Sequence, residues 1–455
     1  MRRLFTIILL ALAAFAASKQ TALDRFIQAP DPNFKYELVK TVAGDGYTMY
    51  VLDLTSEAWR GPSDTSRPIW KHWLTVIKPD QIEGTTGFLF ITGGSITAPA
   101  PAAADPNDVD TALTSHSVVA TLRGVPNEPV SFTEEGKPRN EDQIIAYTWV
   151  KFLKSGDETW PLHFPMAKAA VRAMDAVTKF CAGQQVTVEK YFVAGGSKRG
   201  WTTWLTAAAD PRVMGIAPMV IDLLNNEKSF EHHYRAYGFY SPAVKDYQDM
   251  GLMEVGDTPK YEALMRLEDP YSYKERFTMP KFIMNAAGDQ YFLPDSSRFY
   301  FDDLPGEKYL RYVPNTDHSL RNSDARQSLI AFYDALLHNR ARPKFSWKFA
   351  KDGGILVMCK DKPSEIKLWQ ATNPEKRDFR LMSIGAAYKS SELIDRGNGS
   401  YEAKIKNPEK GWTASFVELT YPSGGKYPFK FTTAVRISPD TLPYPPPKRS
   451  GKLPE

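Results

Sequence analysis

Between residues 88 and 337, short apolar runs alternate with longer segments in which apolar positions recur every three or four residues. The runs at 88–91, 118–122, 191–194, 282–284 and 309–313 are rich in aromatic and β-branched residues and are bounded by turn residues. They predict buried strands of a mostly parallel sheet. Between them, Ile145, Trp149, Phe152 and Leu153 follow a helical period. So do Ala170, Ala173, Met174 and Val177, and again Leu329, Phe332, Tyr333 and Leu336. Strand and helix alternating in this way predict an α/β doubly wound sheet with helices on both faces. Residues 222–278 break the alternation with a polar, aromatic-rich stretch. A long excursion between two core strands predicts a helical cap.

After Pro343 the period shortens. Strand-like runs at 345–349, 355–359, 365–369, 401–405 and 415–420 are separated by turn signals such as Asp352-Gly353-Gly354 and Ser423-Gly424-Gly425. This predicts a separate immunoglobulin-like β-sandwich over 342–440, followed by an extended Pro-rich tail over 441–455. The α/β unit then occupies 18–341. At the other end, Met1-Arg2-Arg3 precedes an apolar run and the small residues Ala13, Ala14, Ala16 and Ala17. That is the layout of a secretory signal peptide over 1–17. A spanning helix needs ~20 apolar residues, and no other segment has them. The expectation is export, to the extracellular space or a periplasm, with no membrane anchor after cleavage.

Composition narrows the functional classes. The chain has 455 residues, 42% hydrophobic and 24% charged, with 57 basic residues against 53 acidic ones. A mean hydropathy of −0.39 excludes a disordered chain and a membrane bundle. Without a long block of one sign, the net charge of +4 supports neither a nucleic-acid nor a membrane-surface partner. The two cysteines, Cys181 and Cys359, exclude a disulfide scaffold and a Cys-based zinc site. One bridge or two buried thiols remain open. A monomer is the default.

The chemistry gathers at the ends of predicted strands. The strand at 191–194 runs into Gly195-Gly196-Ser197-Lys198-Arg199-Gly200 and then a helical segment. A serine on such a turn is a nucleophile elbow, because small neighbours let the backbone bend and hold Oγ above the sheet. The pattern departs from G-x-S-x-G, since Arg199 takes the second glycine position. Asp289 follows the strand at 282–284 and His318 follows the strand at 309–313. Ser, Asp, His is the chain order of the α/β-hydrolases, with His318 as general base and Asp289 orienting it. Asp295 is the rival acid, and Asp317 a poorer one. An oxyanion hole needs backbone donors, and Gly93, Gly94 and Lys198 fit that role. Lys198 and Arg199 either attract an anionic substrate group or form a salt-bridged pair. Asn127 and Glu128, in a loop after a strand, are candidate pocket residues with Arg199. Asn140 or Asp142 caps the helix that carries Ile145. His232-His233 lacks the spacing of a metal site, and neither metal nor cofactor is expected.

The motifs Phe90-Ile91-Thr92-Gly93-Gly94-Ser95, Gly124-Val125-Pro126-Asn127, Arg139-Asn140-Glu141-Asp142, the elbow, Gly288-Asp289-Gln290-Tyr291-Phe292-Leu293-Pro294-Asp295, Leu368-Trp369-Gln370-Ala371-Thr372-Asn373 and Arg377-Asp378-Phe379-Arg380 together resemble the PhoPQ-activated pathogenicity-related family. The resemblance covers nearly the whole mature chain. It implies an α/β-hydrolase-like catalytic fold with a C-terminal β domain. By position it carries the nucleophile to Ser197, the acid to Asp289 and the base to His318. Members are linked to virulence or to extracellular growth repression, which implies a secreted hydrolase of esterase or peptidase type, or a signalling protein that does not need its activity. The elbow alone also resembles that of glucuronoyl esterases. The substrate expectation is a small ester or peptide with an anionic group.

Overall fold

The computed structural model describes residues 20–351 and 353–453. The expected signal peptide lies outside the described residues. The first strands are β1 (Lys35–Gly44), β2 (Tyr47–Ala58), β3 (Ile69–Pro79), β4 (Thr86–Ile91) and β5 (Val119–Leu122), followed by a short ribbon of β6 (Val130–Ser131) and β7 (Pro138–Arg139). Then come β8 (Lys190–Gly196), β9 (Val213–Met219), β10 (Lys281–Ala286) and β11 (Lys308–Val313). In the sheet they lie in the order β1-β2-β3-β5-β4-β8-β9-β10-β11. From β5 to β11 every neighbouring pair is parallel, whereas β1, β2 and β3 are antiparallel. Leaving β1 aside, this is the α/β-hydrolase order, with Ser197, Asp289 and His318 in the loops after β8, β10 and β11.

Parallel neighbours need crossovers, and helices supply them: α2 (Pro106–Ser115), α3 (Asp142–Ser155), α4 (His163–Gly183) and α5 (Lys198–Ala209). α1 (Ala22–Gln28), ahead of β1, and α9 (Ala325–Leu337), after β11, pack against α4 and α2 respectively. Their apolar faces build two cores, one on each side of the sheet. Tyr191 and Val193 of β8 enter the core shared with α4 and α5, while Phe192 and Ala194 enter the core shared with α9. The alternation is the period of two that a strand imposes.

Between β9 and β10 lie α6 (Asn226–Tyr237), α7 (Lys245–Asp249) and α8 (Pro259–Glu268). They form a helical layer over the carboxyl ends of the strands. None of the described helices is long and apolar enough to cross a membrane.

The C-terminal region differs from the separate sandwich that the sequence predicts. Its strands are β12 (Phe345–Phe349), β13 (Ile355–Cys359), β14 (Glu365–Asn373), β15 (Lys389–Glu392), β16 (Ser400–Ala403), β17 (Trp412–Tyr421), β18 (Phe429–Thr432) and β19 (Arg436–Ser438), with α10 (Leu381–Ile384) between β14 and β15. β12, β13 and β16 form a three-stranded sheet, but β18, β17, β14 and β15 continue the main sheet outward from β11, with β19 on β17. The join is Leu310 opposite Thr432, reinforced by the Tyr312 amide donating to Thr432 Oγ1 at 3.0 Å. Apolar packing explains it. Phe431 stacks on Tyr309 at 4.2 Å and meets Phe282 edge-on at 5.5 Å. The open edge of β11 is thereby covered, and the two regions share one core.

The tail is docked rather than trailing. The Tyr444 amide donates to Arg235 O at 3.1 Å and the Gly451 amide to Glu254 O at 2.8 Å. Arg449 pairs with Asp257 at 2.9 Å. Cys181 and Cys359 are free, buried thiols, and burial pushes Cys181 up to about 12.

Candidate active site

Ser197 sits at the junction of β8 and α5 with φ 57° and ψ −130°, and its side chain makes no capping bond. Holding a non-glycine residue there costs on the order of 1–3 kcal/mol, so the surroundings must enforce it. A Cβ on Gly195 would lie 2.7 Å from Arg199 O, and one on Gly200 would lie 2.9 Å from both Ile221 Cγ2 and Met219 O. The elbow therefore needs glycine at 195 and 200, which accounts for the second glycine standing one place late. The Ser197 amide donates to Met219 O at 2.8 Å and ties the bend to β9.

Asp289 and His318 meet above β10 and β11. His318 Nδ1 lies 2.8 Å from Asp289 Oδ2 and 3.1 Å from Oδ1. The Tyr291 amide donates to Asp289 Oδ1 at 2.7 Å, and Asp289 is buried. In the tautomer that donates from Nδ1 to this carboxylate, Nε2 carries the lone pair. Nε2 is buried and has no hydrogen-bond partner. The ring is held by Tyr291, 4.4 Å between centroids, and by the His318 amide donating to Gln290 Oε1 at 3.1 Å.

The rival acids are engaged elsewhere. Asp295 binds His232 Nε2 at 3.0 Å and Arg377 at 2.7 Å. Burial alone would raise its pKa, but Arg377 and His232 outweigh it and hold the carboxyl well below the usual range. Asp317 accepts from the amide and hydroxyl of Ser319 at 3.0 and 2.6 Å.

Ser197 opens into a chamber of ≈ 30 Å³, walled by Trp149, Trp201, Leu223, Phe230, Tyr247 and Phe292 among others. That is room for one or two waters. The cap closes it. Tyr247 donates to Asp142 at 3.0 Å, the Trp201 indole donates to Glu268 O at 2.5 Å, and Glu268 also binds His163 Nδ1. Among the described residues, the Lys198 amide, at the α5 N-terminus, and the Gly93 and Gly94 amides have no acceptor. Lys198 lines this chamber. Gly93 and Gly94 line a separate groove of ≈ 550 Å³, and Gly93 is packed on the Arg199 guanidinium.

The model of the PhoPQ-activated pathogenicity-related proteins matches residues 23–380. Autocrine proliferation repressor protein A of Dictyostelium discoideum is 35% identical over 467 residues, spanning 96% of this chain and 94% of that protein. The chain belongs to the PhoPQ-activated pathogenicity-related family. Among solved structures, acetyl xylan esterase 1 from Thermoanaerobacterium sp. JW/SL YS485 is 16% identical with a TM-score of 0.48, covering 70% of this chain and 91% of that one. The acetyl xylan esterase from Paenibacillus sp. R4 is 14% identical, also at 0.48, covering 69% and 92%.

In this family member the residues expected to bind substrate are engaged within the chain itself. Arg199 makes a bidentate pair with Glu141, 2.8 Å at both nitrogens, and its Nε donates to Val125 O. Glu128 lies 3.8 Å from Arg199 and accepts the Glu141 amide at 2.6 Å. Asn127 donates to Lys71 O at 2.5 Å. None of the three lines the Ser197 chamber. Lys198 Nζ is likewise held, 2.6 Å from Glu141 and 3.3 Å from Asp142. Both cations are buried, and a buried charge needs a partner more than it needs a ligand. Burial and the neighbouring Glu141 push the Glu128 carboxyl up to about 7.

Asp142 opens α3 rather than capping it. The N-cap position is Glu141, which makes no side-chain cap bond. The His232-His233 pair is accounted for by Asp295 and by the Ser241 amide donating to His233 at 2.9 Å. Among the described residues no cluster of three or more His, Cys, Asp or Glu is placed to hold a metal. Gln290, Tyr291, Tyr247 and Arg377 escaped the sequence reading as site residues. The two motifs carrying Gln290, Tyr291 and Arg377 were visible, but not the contacts they make.

Proposed function

We propose that this protein is an exported serine hydrolase of esterase or peptidase type, working through an acyl-enzyme on Ser197. The observation that carries the reading is the Asp289–His318 pair, whose distal Nε2 is left without a partner. In this mechanism His318 Nε2 takes the Ser197 hydroxyl proton as Oγ bonds to the scissile carbonyl carbon. Asp289 keeps Nδ1–H in place and stabilises the imidazolium. The tetrahedral oxyanion is received by the Lys198 amide, favoured by the α5 N-terminus, and by the Gly93 or Gly94 amide. Collapse breaks the bond to the leaving group, which departs with the proton from Nε2. Water then repeats the sequence on the acyl-enzyme. A chamber of ≈ 30 Å³ has room for one or two waters, so a substrate bulkier than that needs the cap to shift.

The same closure favours a second reading, a secreted signalling protein that retains the fold without turnover. Labelling with a fluorophosphonate probe separates them. Wild type that labels, with Ser197→Ala unlabelled, supports the hydrolase. Unlabelled wild type selects the signalling protein.

A further inference from the structure

The groove of ≈ 550 Å³ beside Gly93 and Gly94 also contains Arg123, the residue after β5, together with Trp73 and His72. Its backbone is fixed on both sides. The Arg123 amide donates to Trp73 O at 2.9 Å, and its carbonyl lies 3.1 Å from His72 Nδ1. Its side chain is not fixed. Nε is buried without a hydrogen-bond partner, and the guanidinium has no ion pair among the described residues.

The carboxylates nearby have other hydrogen-bond or ion-pair partners. Asp53 pairs with Lys71 at 3.6 Å. Asp105 accepts the Asn107 amide at 2.8 Å. Asp108 accepts from Thr121 at 2.7 Å and pairs with Arg326 at 3.2 Å. His72 offers no charge of either sign near neutrality, because burial pushes its imidazole down to about 4. Lys198 and Arg199, by contrast, are neutralised by Glu141 and its neighbours. Arg123 feels the charge of Asp108 at a distance, but among the described residues it makes no ion pair of its own, unlike the two cations beside the nucleophile.

We infer that Arg123 binds a carboxylate on the substrate, and that the groove is the subsite for that part of it. The inference rests on the hydrolase reading of Ser197 and names the substrate class. A guanidinium presents its donors in a fork that matches a carboxylate bidentately. Leaving a partly buried cation unpaired is costly, and an anionic ligand removes that cost. The strand order β5-β4-β8 sets Arg123 two strand spacings, roughly 10 Å, from the elbow. The glycines that bracket the oxyanion position lie between them. Trp73, its indole donating to Ala98 O at 2.9 Å, gives the groove a fixed apolar wall. A substrate thus carries its carboxylate about one ring's length beyond the reacting carbonyl.

The test separates binding from turnover. 4-Hydroxybenzoate and its neutral analogue 4-hydroxybenzamide are titrated calorimetrically into the mature wild-type protein, Ser197→Ala, Arg123→Gln and Arg123→Lys, with melting curves confirming the fold. The expectation is that wild type and Ser197→Ala prefer the carboxylate. Arg123→Gln weakens that binding about tenfold or more, and Arg123→Lys falls between. Equal affinity for the two probes, no binding by wild type, or an unchanged Kd in Arg123→Gln overturns the inference. Hydrolysis of 4-acetoxybenzoate against 4-acetoxybenzamide is then followed in the same proteins. If neither ester is cleaved, the hydrolase reading fails while the binding result stands by itself.

Discussion

The chamber at Ser197 and the groove at Arg123 lie two strands apart on one sheet edge and treat charge in opposite ways. Beside the chamber, Lys198 and Arg199 are buried and bonded to Glu141, Asp142 and Val125 O. In the groove, one arginine faces a cavity about twenty times larger and makes no ion pair among the described residues. Cation position along the chain is thus a poor guide to anion recognition. What decides is whether the fold has already supplied a counter-ion.

The comparison breaks most severely at the nucleophile. Ser197→Ala is expected to lower kcat by about 10⁴-fold or more with little change in melting temperature, read by ester hydrolysis. A loss confined to KM would move the chemistry away from the chamber.

Next comes His72 in the groove wall. Its folded imidazole stays neutral down to about pH 4, whereas the unfolded chain takes up the proton near pH 6.5. The unfolded state binds more protons in that window, so stability falls as pH drops from 6.5 to 4, by about 3 kcal/mol. Glu128 works the other way, since its pKa is raised in the fold. Its contribution is lost as pH rises from 4.5 to about 7. Denaturant unfolding of wild type and His72→Gln from pH 4 to 7 isolates the histidine. A wild-type slope persisting in the variant would refute its assignment.

Glu141→Gln attacks the neutralised side. It leaves Lys198 and Arg199 short of a carboxylate and is expected to cost about 2 kcal/mol, less than a fully buried pair because Glu141 is 41% exposed. Urea unfolding measures it, and no loss would mean that the two cations are not held by Glu141. The smallest effect is at Arg123, where Arg123→Gln is expected to change stability by within ~0.5 kcal/mol, since no protein contact is broken. A larger loss in thermal unfolding would reveal a structural partner and erase the contrast.

Local signals made the elbow legible. Gly195, Ser197 and Gly200 are close in sequence, and the strands ahead of Asp289 and His318 are short, largely apolar runs. The pairing of Arg199 with Glu141 was not legible, because 58 residues separate them. β9 was missed, its apolar run being interrupted by Gly215 and Pro218. Gly215 is there for packing, since a Cβ would lie 2.6 Å from Leu336 and 2.9 Å from Phe192. β1 alternates weakly and is mostly exposed, so it carried little pattern. The joining of β18 to β11 is set by aromatic contacts more than a hundred residues apart.

The docked tail has a practical corollary. Arg449 contacts both Glu227, in α6, and Asp257, just ahead of α8, so this segment clasps the helices that roof the nucleophile. Position 449, far from the nucleophile in sequence, is therefore a place to tune how readily the protein opens.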